Sequence, residues 1–332
     1  MADKHEPLLE VRHLRKTYAD ASSTFLRKEV QAAVEDVSFT VYPGKTFGIV
    51  GESGCGKSTV ARLIMALEKP DSGEVLLDSQ RIDHLPERRR IPLRPQFQMV
   101  FQDSGSSLNP RKTIRDILRA PMLHHKVVSR KDADKRVDEL LQLVGLPASA
   151  KTRYPHEFSG GQRQRICIAK ALSLNPKLVI LDEPVSALDV SVQAQILNLL
   201  RDLQQELGLT CVFIGHGLGA VRYVSHRIAV MYMGRIVETG DAETLFAHPA
   251  HPYTRALLDA APIADYDLRD RERVSLKGEA HGSLTEGCPF RDRCPYAQAE
   301  CAHLSPQLAS VNGDPDHLSA CCRADRQEDN AC

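Results

Sequence analysis

The sequence contains no tryptophan, and aromatic residues make up only 5% of it, but 42% of its 332 residues are hydrophobic. This apolar content is enough to bury a core, and at about 150 residues per domain the length predicts roughly two domains. Neither a disordered chain nor a coiled coil fits this composition.

The chain also lacks net charge and long apolar runs. Lys and Arg number 43, Asp and Glu number 43, and the formal net charge is +0. A nucleic-acid-binding protein usually carries a basic excess, so no nucleic-acid partner is expected. Every apolar run is soon broken by a charge, Gly or Pro, whereas a membrane-spanning helix needs about 18 apolar residues. We therefore expect no span across a bilayer.

A secretory signal is not apparent either. Residues 1–10 mix acidic and basic side chains and lack an apolar segment with a small-residue cleavage site, so a cytoplasmic location is expected. In that reducing compartment the nine cysteines are not expected to form structural disulfides. Those clustered near the C-terminus are instead candidate metal ligands.

The sequence pattern of residues 34–67 predicts two strands, a glycine-rich loop and a helix, in that order. Residues 34–41 are apolar mostly at period two, and a second apolar strand follows at Thr46–Val50. After the loop, helical spacing places four apolar residues on one face: Val60, Leu63, Ile64 and Leu67.

Further along, short apolar runs alternate with helical patterns. Strands are predicted at residues 178–181, 211–214 and 228–233, with a helix over residues 192–207. This alternation indicates a mostly parallel sheet covered by helices. Residues 109–155 are charged and contain no convincing strand, which indicates a helical insert. Beyond about residue 263 the tail is poor in core-forming runs and needs a separate stabiliser or packing on the main body.

The glycine-rich loop fits the phosphate-binding pattern G-x-x-x-x-G-K-[ST] between a strand and a helix. Backbone amides and the helix N-terminus suit phosphate oxygens, Lys57 would reach the β- and γ-phosphates, and Ser58 would ligate Mg²⁺. The loop residues predicted to contact nucleotide are Gly51, Ser53, Gly54, Cys55, Gly56, Lys57, Ser58 and Thr59.

A later apolar strand ends in two carboxylates, Asp182 and Glu183. Strand ends of a parallel sheet lie at the edge where ligands bind. Asp182 suits the Mg²⁺ shell, and Glu183 suits a base that polarises the attacking water.

The segment Phe158-Ser159-Gly160-Gly161-Gln162 opens a helix about twenty residues before these carboxylates. Gln102 lies after an apolar strand, Ser186-Ala187-Leu188-Asp189 follows the acidic pair, and His216 ends the next strand. In this order the motifs resemble those of the ABC-type ATPases, with the glycine pair matching the family's signature.

That resemblance implies two ATPase subunits arranged head to tail, each ATP lying between one subunit's phosphate loop and the other's signature. Four signature residues would then serve the partner's nucleotide: Ser159, Gly160, Gly161 and Gln162. His216 would contact the γ-phosphate, Gln102 would approach Mg²⁺, and Tyr18 would stack on adenine. Gly217 stands where the family commonly has an Asp that contacts the partner subunit, so the resemblance does not carry that contact over to this chain.

Three further stretches resemble the oligopeptide and dipeptide importer ATPases: Ser107–Pro110, Tyr154–Glu157 and His251–Thr254. The likeness is closest to the second of the two ATPase subunits in such importers. It implies a peripheral subunit on the cytoplasmic face of the membrane, two permease subunits, a second ATPase and an extracytoplasmic substrate-binding protein. Peptides are the implied cargo; nickel, glutathione or another small solute, and a soluble non-transport ABC ATPase, are the alternatives.

Four clustered cysteines, Cys288, Cys294, Cys301 and Cys321, match neither the tight zinc pairs nor the ferredoxin spacing. Spacing alone indicates a metal site of unknown type. The resemblance implies a [4Fe-4S] cluster; Zn²⁺ and no bound metal remain alternatives.

The sequence thus predicts an α/β fold built on a P-loop ABC-type ATPase core, with N-terminal antiparallel strands. Residues 1–262 would form the nucleotide-binding domain, with a helical subdomain at about residues 106–164. Residues 263–332 would form a Cys-rich C-terminal extension.

Overall fold

The computed structural model describes residues 6–19, 30–260 and 287–324. The predicted domain boundary near residue 262 lies outside the described residues. The chain divides into two compact units. Of the described residues, the first unit contains 6–9, 41–46 and 76–215, and the second contains 10–19, 30–40, 47–75, 216–260 and 287–324.

The described residues form strands and helices with the following bounds. The strands are β1 Leu9–Ala19, β2 Val30–Val41, β3 Thr46–Val50, β4 Ser72–Leu77, β5 Gln80–Arg81, β6 Phe97–Val100, β7 Leu178–Asp182, β8 Thr210–Gly215, β9 Arg227–Tyr232, β10 Arg235–Asp241, β11 Ala309–Val311 and β12 Asp314–Ser319. The helices are α1 Lys57–Ile64, α2 Glu87–Arg90, α3 Ile114–His124, α4 Ala133–Leu143, α5 Gly160–Leu172, α6 Val190–Leu207, α7 Leu218–Val224, α8 Ala242–Ala247 and α9 Pro252–Ala260. No helix in these ranges is both long and apolar enough to cross a bilayer.

The first unit is organised around three parallel strands. Leu178 of β7 lies opposite Phe97 of β6 on one side and Thr210 of β8 on the other. Every residue of β7 and β8 is buried, which explains why these strands are continuous apolar runs without alternation. The strands predicted at residues 178–181 and 211–214 are confirmed.

The insert between β6 and β7 is helical, as predicted. Residues 109–155, all of which are described, contain α3 and α4 and no strand. Arg115 forms a bidentate ion pair with Asp134 at 2.9 and 2.6 Å, which joins these two helices. Arg165 of α5 donates to the Val144 carbonyl oxygen at 2.8 Å and ties the insert to the following helix.

In the second unit, β3 and β9 are parallel, and β9, β10, β12 and β11 follow as antiparallel neighbours. The tail is poor in core-forming runs, but it contributes the hairpin β11–β12. Asn312 and Gly313 form its turn with φ of 50° and 78°. Since β12 pairs with β10, with Ser319 opposite Glu238, the tail packs on the main body by extending its sheet.

A buried carboxylate reinforces this attachment. Glu238 is 0% exposed and accepts hydrogen bonds from the amides of Ala250 and His251 at 2.8 and 2.9 Å. His317 Nε2 of β12 lies 2.7 Å from the same carboxylate. A buried carboxylate requires such partners, so the network fixes the tail strand to β10 and the start of α9.

Helix α1 is shorter than its apolar pattern predicts. Val60, Leu63 and Ile64 are each 0% exposed, as expected for a buried face. The helix ends at Ile64 because Ala66 adopts the left-handed conformation with φ of 47°. Leu67 therefore lies beyond the helix and is 50% exposed, so its predicted place on the buried face is wrong.

Phe290 anchors the cysteine-rich segment in an aromatic cluster. Its side chain is 1% exposed, and its ring centroid lies 5.3 Å from that of Tyr232 and 5.4 Å from that of Tyr253. We expect Phe290→Ala to lower the free energy of unfolding by about 3–5 kcal/mol, because a buried ring is replaced by a cavity. Denaturant unfolding measures this loss.

The matched control is Tyr296→Ala, in the same segment. The Tyr296 side chain is 41% exposed, so its removal should change stability by no more than about 0.5 kcal/mol. Equal unfolding midpoints for the two variants would contradict the anchoring role of Phe290.

Candidate functional site

The phosphate loop lies in the second unit between β3 and α1, and its backbone requires glycine at two positions. Gly51 has φ of 156°, and a Cβ there would lie 2.2 Å from the Met231 carbonyl oxygen. Gly56, the N-cap of α1, has φ of 106°, and its Cβ would lie 2.0 Å from the Ala33 carbonyl oxygen. Any side chain at either position would displace backbone and open the loop.

Lys57 is folded into this loop. It is 4% exposed, and its ammonium donates to the carbonyl oxygens of Gly51 and Glu52 at 2.8 Å each. Nδ1 of His216 lies 3.4 Å from Lys57 Nζ and 3.3 Å from the Gly51 carbonyl oxygen. The structure thus brings the predicted lysine, the predicted histidine and the start of the loop together.

The remaining loop residues differ in accessibility. Ser53 and Gly54 are exposed, and a Cβ built on Gly54 meets nothing within 4 Å. Cys55 is buried, which raises the pKa of its thiol, and its Sγ lies 3.7 Å from Lys57 Nζ. Ser58 and Thr59 lie in the first turn of α1. This turn offers hydroxyl and amide groups at a helix N-terminus, where anions bind favourably.

Tyr18 lies beside the same helix. Its hydroxyl hydrogen-bonds with Glu68 and also with Thr59 of α1. Burial and the Glu68 contact raise the pKa of the phenol. Tyr18 is 39% exposed, and Lys16 Nζ lies 5.6 Å from its ring centroid.

The two predicted carboxylates lie in the first unit, where β7 ends. Asp182 and Glu183 are each 7% exposed, and the Glu183 amide donates to the Ile214 carbonyl oxygen at 2.9 Å. Glu183 has φ of 48°, a left-handed conformation that costs energy in a non-glycine residue. Gln102 Nε2 donates to Glu183 Oε2 at 2.7 Å, so the amide orients the carboxylate.

The signature segment forms the N-terminus of α5 in the first unit. Ser159 is the N-cap, and its hydroxyl accepts from the Gln162 amide at 3.3 Å while Gln162 Oε1 accepts from the Ser159 amide at 3.1 Å. A hydroxyl that accepts in this capping box keeps its own proton to donate. Gly161 packs against α6, since a Cβ there would lie 2.3 Å from Val192 Cγ1.

The four clustered cysteines line one cavity of about 60 Å³ in the second unit, together with Cys322. Burial raises the pKa of Cys321 to about 11 and also raises the pKa of Cys288 and of Cys294. Among the described residues, no group of three or more His, Cys, Asp or Glu side chains is arranged to hold a metal ion. Cys167 and Cys211 are buried core residues, and Cys332 lies outside the described ranges.

Sequence reasoning missed two contacts of the phosphate loop. Arg293 donates to both carboxylate oxygens of Glu52 at 2.8 and 2.9 Å, and the Glu52 amide donates to Tyr253 Oη at 2.9 Å. Glu52 occupies a variable position of the loop pattern, so the motif gives no signal for it. Arg293 stands immediately before Cys294 and belongs to no recognised nucleotide-binding motif.

Two sequence families match the chain. The family described as "ABC transporter" matches residues 34–186, and the one described as "Oligopeptide/dipeptide transporter, C-terminal region" matches residues 237–301. The first match contains the phosphate loop, the signature and both carboxylates. The second contains three of the four clustered cysteines.

Full-length relatives carry transport names. The oligopeptide transport ATP-binding protein AppF of Bacillus subtilis is 47% identical over 325 residues, which are 96% of this chain and 98% of that protein. The dipeptide transport ATP-binding protein DppF of Escherichia coli is 44% identical over 330 residues, covering 98% of this chain and 97% of its own. A solved ATP-binding cassette, a dimer in a post-hydrolysis state with ADP and Pi, matches with a TM-score of 0.62 and 28% identity, covering 70% of this chain and 98% of that one.

Proposed function

The chain belongs to the ATP-binding subunits of ABC transporters, and we propose that it couples ATP hydrolysis to the import of peptides through separate membrane permease subunits. The reaction is ATP plus water to ADP plus phosphate. The subunit would lie on the cytoplasmic face of the membrane, where ATP is available.

The observation that carries the peptide assignment is the extent of the match. The relatives named for oligopeptide and dipeptide transport align over nearly their whole length, including the cysteine-rich tail. The tail itself matches a C-terminal region described for oligopeptide and dipeptide transporters. A likeness confined to the nucleotide-binding motifs would support only the ATPase.

The second unit would bind the triphosphate. The amides at the α1 N-terminus would donate to phosphate oxygens, and Lys57 would exchange its carbonyl partners for the β- and γ-phosphates. The Ser58 hydroxyl would ligate Mg²⁺, which neutralises the charge that develops on the phosphates. His216, held against Lys57, would contact the γ-phosphate, and Tyr18 would stack on adenine.

The first unit would supply the hydrolytic groups. Asp182 would ligate Mg²⁺, and Gln102 would approach the same ion. Glu183, held by Gln102 in a strained backbone conformation, would accept a proton from the attacking water. Ser159, Gly160, Gly161 and Gln162 would contact the nucleotide of a second ATPase subunit, since a capped helix N-terminus with a free hydroxyl proton is an anion site.

The proposed assembly contains two permease subunits, a second, related ATPase paired head to tail with this chain, and an extracytoplasmic substrate-binding protein that delivers the cargo. ATP binding would close the ATPase pair and hydrolysis would reopen it, which is the movement transmitted to the permeases. No nucleic acid takes part.

We also propose that the cysteine-lined cavity holds metal, either a [4Fe-4S] cluster or Zn²⁺, and that its thiols, which are not grouped around a single point in this structure, converge on the metal when it binds. Four thiols from separate parts of the extension line one cavity, and four thiolates are the donor set of both groups. Cys321 is the better fourth ligand because it is partly buried, whereas Cys322 is exposed. Bound metal would cross-link the extension and would displace the thiol protons.

We expect Cys294→Ser to lose the bound metal and to lower the melting temperature by several degrees, because a ligand and a cross-link are lost together. Metal analysis, visible absorbance and thermal unfolding measure these effects on anaerobically purified protein. Cys322→Ser is the control and should retain the metal. Wild-type protein without iron or zinc would contradict the metal site, whereas zinc alone would exclude the iron–sulfur cluster.

Purification of the tagged protein in mild detergent from its native membranes tests the transport function. Recovery of two multispan permeases and a second ATPase is expected, and the cargo of the associated binding protein distinguishes peptides from nickel or glutathione. Recovery from the soluble fraction alone, with ribosomal or DNA-repair proteins, would contradict transport and leave the ATPase activity standing.

A further inference from the structure

The phosphate loop contains a carboxylate, Glu52, that is held by an arginine of the C-terminal extension. Arg293 Nη1 and Nη2 contact Glu52 Oε2 and Oε1 at 2.8 and 2.9 Å, a parallel bidentate pair. The Arg293 side chain is 9% exposed and that of Glu52 is 27% exposed. This pair is thus largely shielded from solvent, and bidentate pairs of this kind are strong and directional.

Arg293 is fixed from its own side. It ends the short 3₁₀ helix Arg291–Arg293, and its amide donates to the carbonyl oxygen of the buried Phe290 at 3.1 Å. Its guanidinium lies 5.8 Å from the ring centroid of Tyr232. The arginine is therefore presented to the loop by a packed element rather than by a freely moving side chain.

Glu52 is fixed at three points. Its amide donates to Tyr253 Oη, its carbonyl oxygen accepts from Lys57 Nζ, and its carboxylate meets Arg293. One residue thus connects the loop lysine to the extension. A free carboxylate at this position would repel the phosphates of an incoming nucleotide, since like charges a few ångströms apart in a partly buried site interact strongly.

We propose that Arg293 is a positioning residue for nucleotide binding: it neutralises Glu52 and holds the phosphate loop in the shape that receives the phosphates. This inference rests on the proposed function, in which the loop binds Mg·ATP. The extension thereby contributes to the nucleotide site of its own chain.

The test compares four variants of the full-length protein: Arg293→Ala, Glu52→Gln, the double variant and Arg291→Ala. Arg291 lies on the same short helix and donates to the Ala302 carbonyl oxygen within the extension, so it is the matched control. Calorimetry gives the Kd for Mg·ATP, and steady-state hydrolysis gives KM and kcat separately.

Arg293→Ala should raise the Kd and KM for ATP about tenfold and leave kcat within about twofold, because binding rather than chemistry is affected. The double variant should bind within about twofold of wild type, since removing the unpaired carboxylate removes the repulsion. High salt should reduce the defect of Arg293→Ala. Arg291→Ala should bind like wild type.

Two results would overturn the inference. Wild-type affinity in Arg293→Ala would show that the pair does not act on the nucleotide, and a double variant as weak as Arg293→Ala would show a structural effect without the electrostatic one. Should Arg293→Ala fail to fold, Arg293→Gln replaces it and must show the same loss and the same rescue. A wild-type protein that binds no ATP would instead overturn the proposed function.

Discussion

Replacing Glu183 with Gln should lower kcat for ATP hydrolysis by about 10²–10⁴-fold and leave the affinity for Mg·ATP nearly unchanged. Glutamine is isosteric and can still accept the Gln102 hydrogen bond seen at 2.7 Å, so the local geometry persists. Only the ability to take a proton from water is lost. Steady-state phosphate release measures kcat, and calorimetry measures nucleotide binding.

The control for this substitution is Glu206→Gln, an exposed glutamate on α6 in the same unit. It makes the same chemical change and should hydrolyse ATP at the wild-type rate. Full turnover in Glu183→Gln would contradict the base assignment. A matching loss of ATP affinity in that variant would assign Glu183 to nucleotide binding instead.

Lys57→Gln should weaken ATP binding by about 100-fold, because it removes the ammonium that would bind the β- and γ-phosphates. In this structure that ammonium contacts the Gly51 and Glu52 carbonyl oxygens. Hydrolysis at low ATP should fall at least as much, since the substrate no longer binds. Titration calorimetry with Mg·ATP measures the affinity directly.

Lys45→Gln removes an exposed lysine before β3 and is the matched control for charge. Its affinity should equal that of wild type. An unchanged affinity in Lys57→Gln would show that the loop does not bind the phosphates, and the nucleotide site would have to lie elsewhere.

The parts of this site that could be predicted from the sequence are those formed by residues close together in the chain. The phosphate loop is contiguous, and the residues that must be glycine, Gly51 and Gly56, lie at fixed spacing from Lys57. The buried strands β7 and β8 are also local, because burial on both faces requires an unbroken apolar run. The hairpin β11–β12 has a strong turn signal in Asn312-Gly313, but its strands are short and largely polar, so no apolar pattern predicts them.

Other features depend on tertiary structure. Glu52 and Arg293 are 241 residues apart, and nothing in either local sequence specifies the other. Leu67 fits the apolar spacing of α1 but lies beyond the end of the helix. The left-handed backbone at Ala66 determines where the helix ends, and the apolar pattern does not show it. The cavity that the cysteines share likewise depends on how residues 288–321 fold in three dimensions.

Uptake of a labelled dipeptide and a labelled oligopeptide by cells tests the central claim, that ATP hydrolysis by this chain powers peptide import. Cells lacking the chain are compared with cells that express the wild-type protein or Glu183→Gln, and labelled glutathione and nickel are measured in parallel. We expect peptide uptake to be lost with the chain, restored by the wild type and not restored by Glu183→Gln. Peptide uptake that is the same in all three strains would contradict the claim.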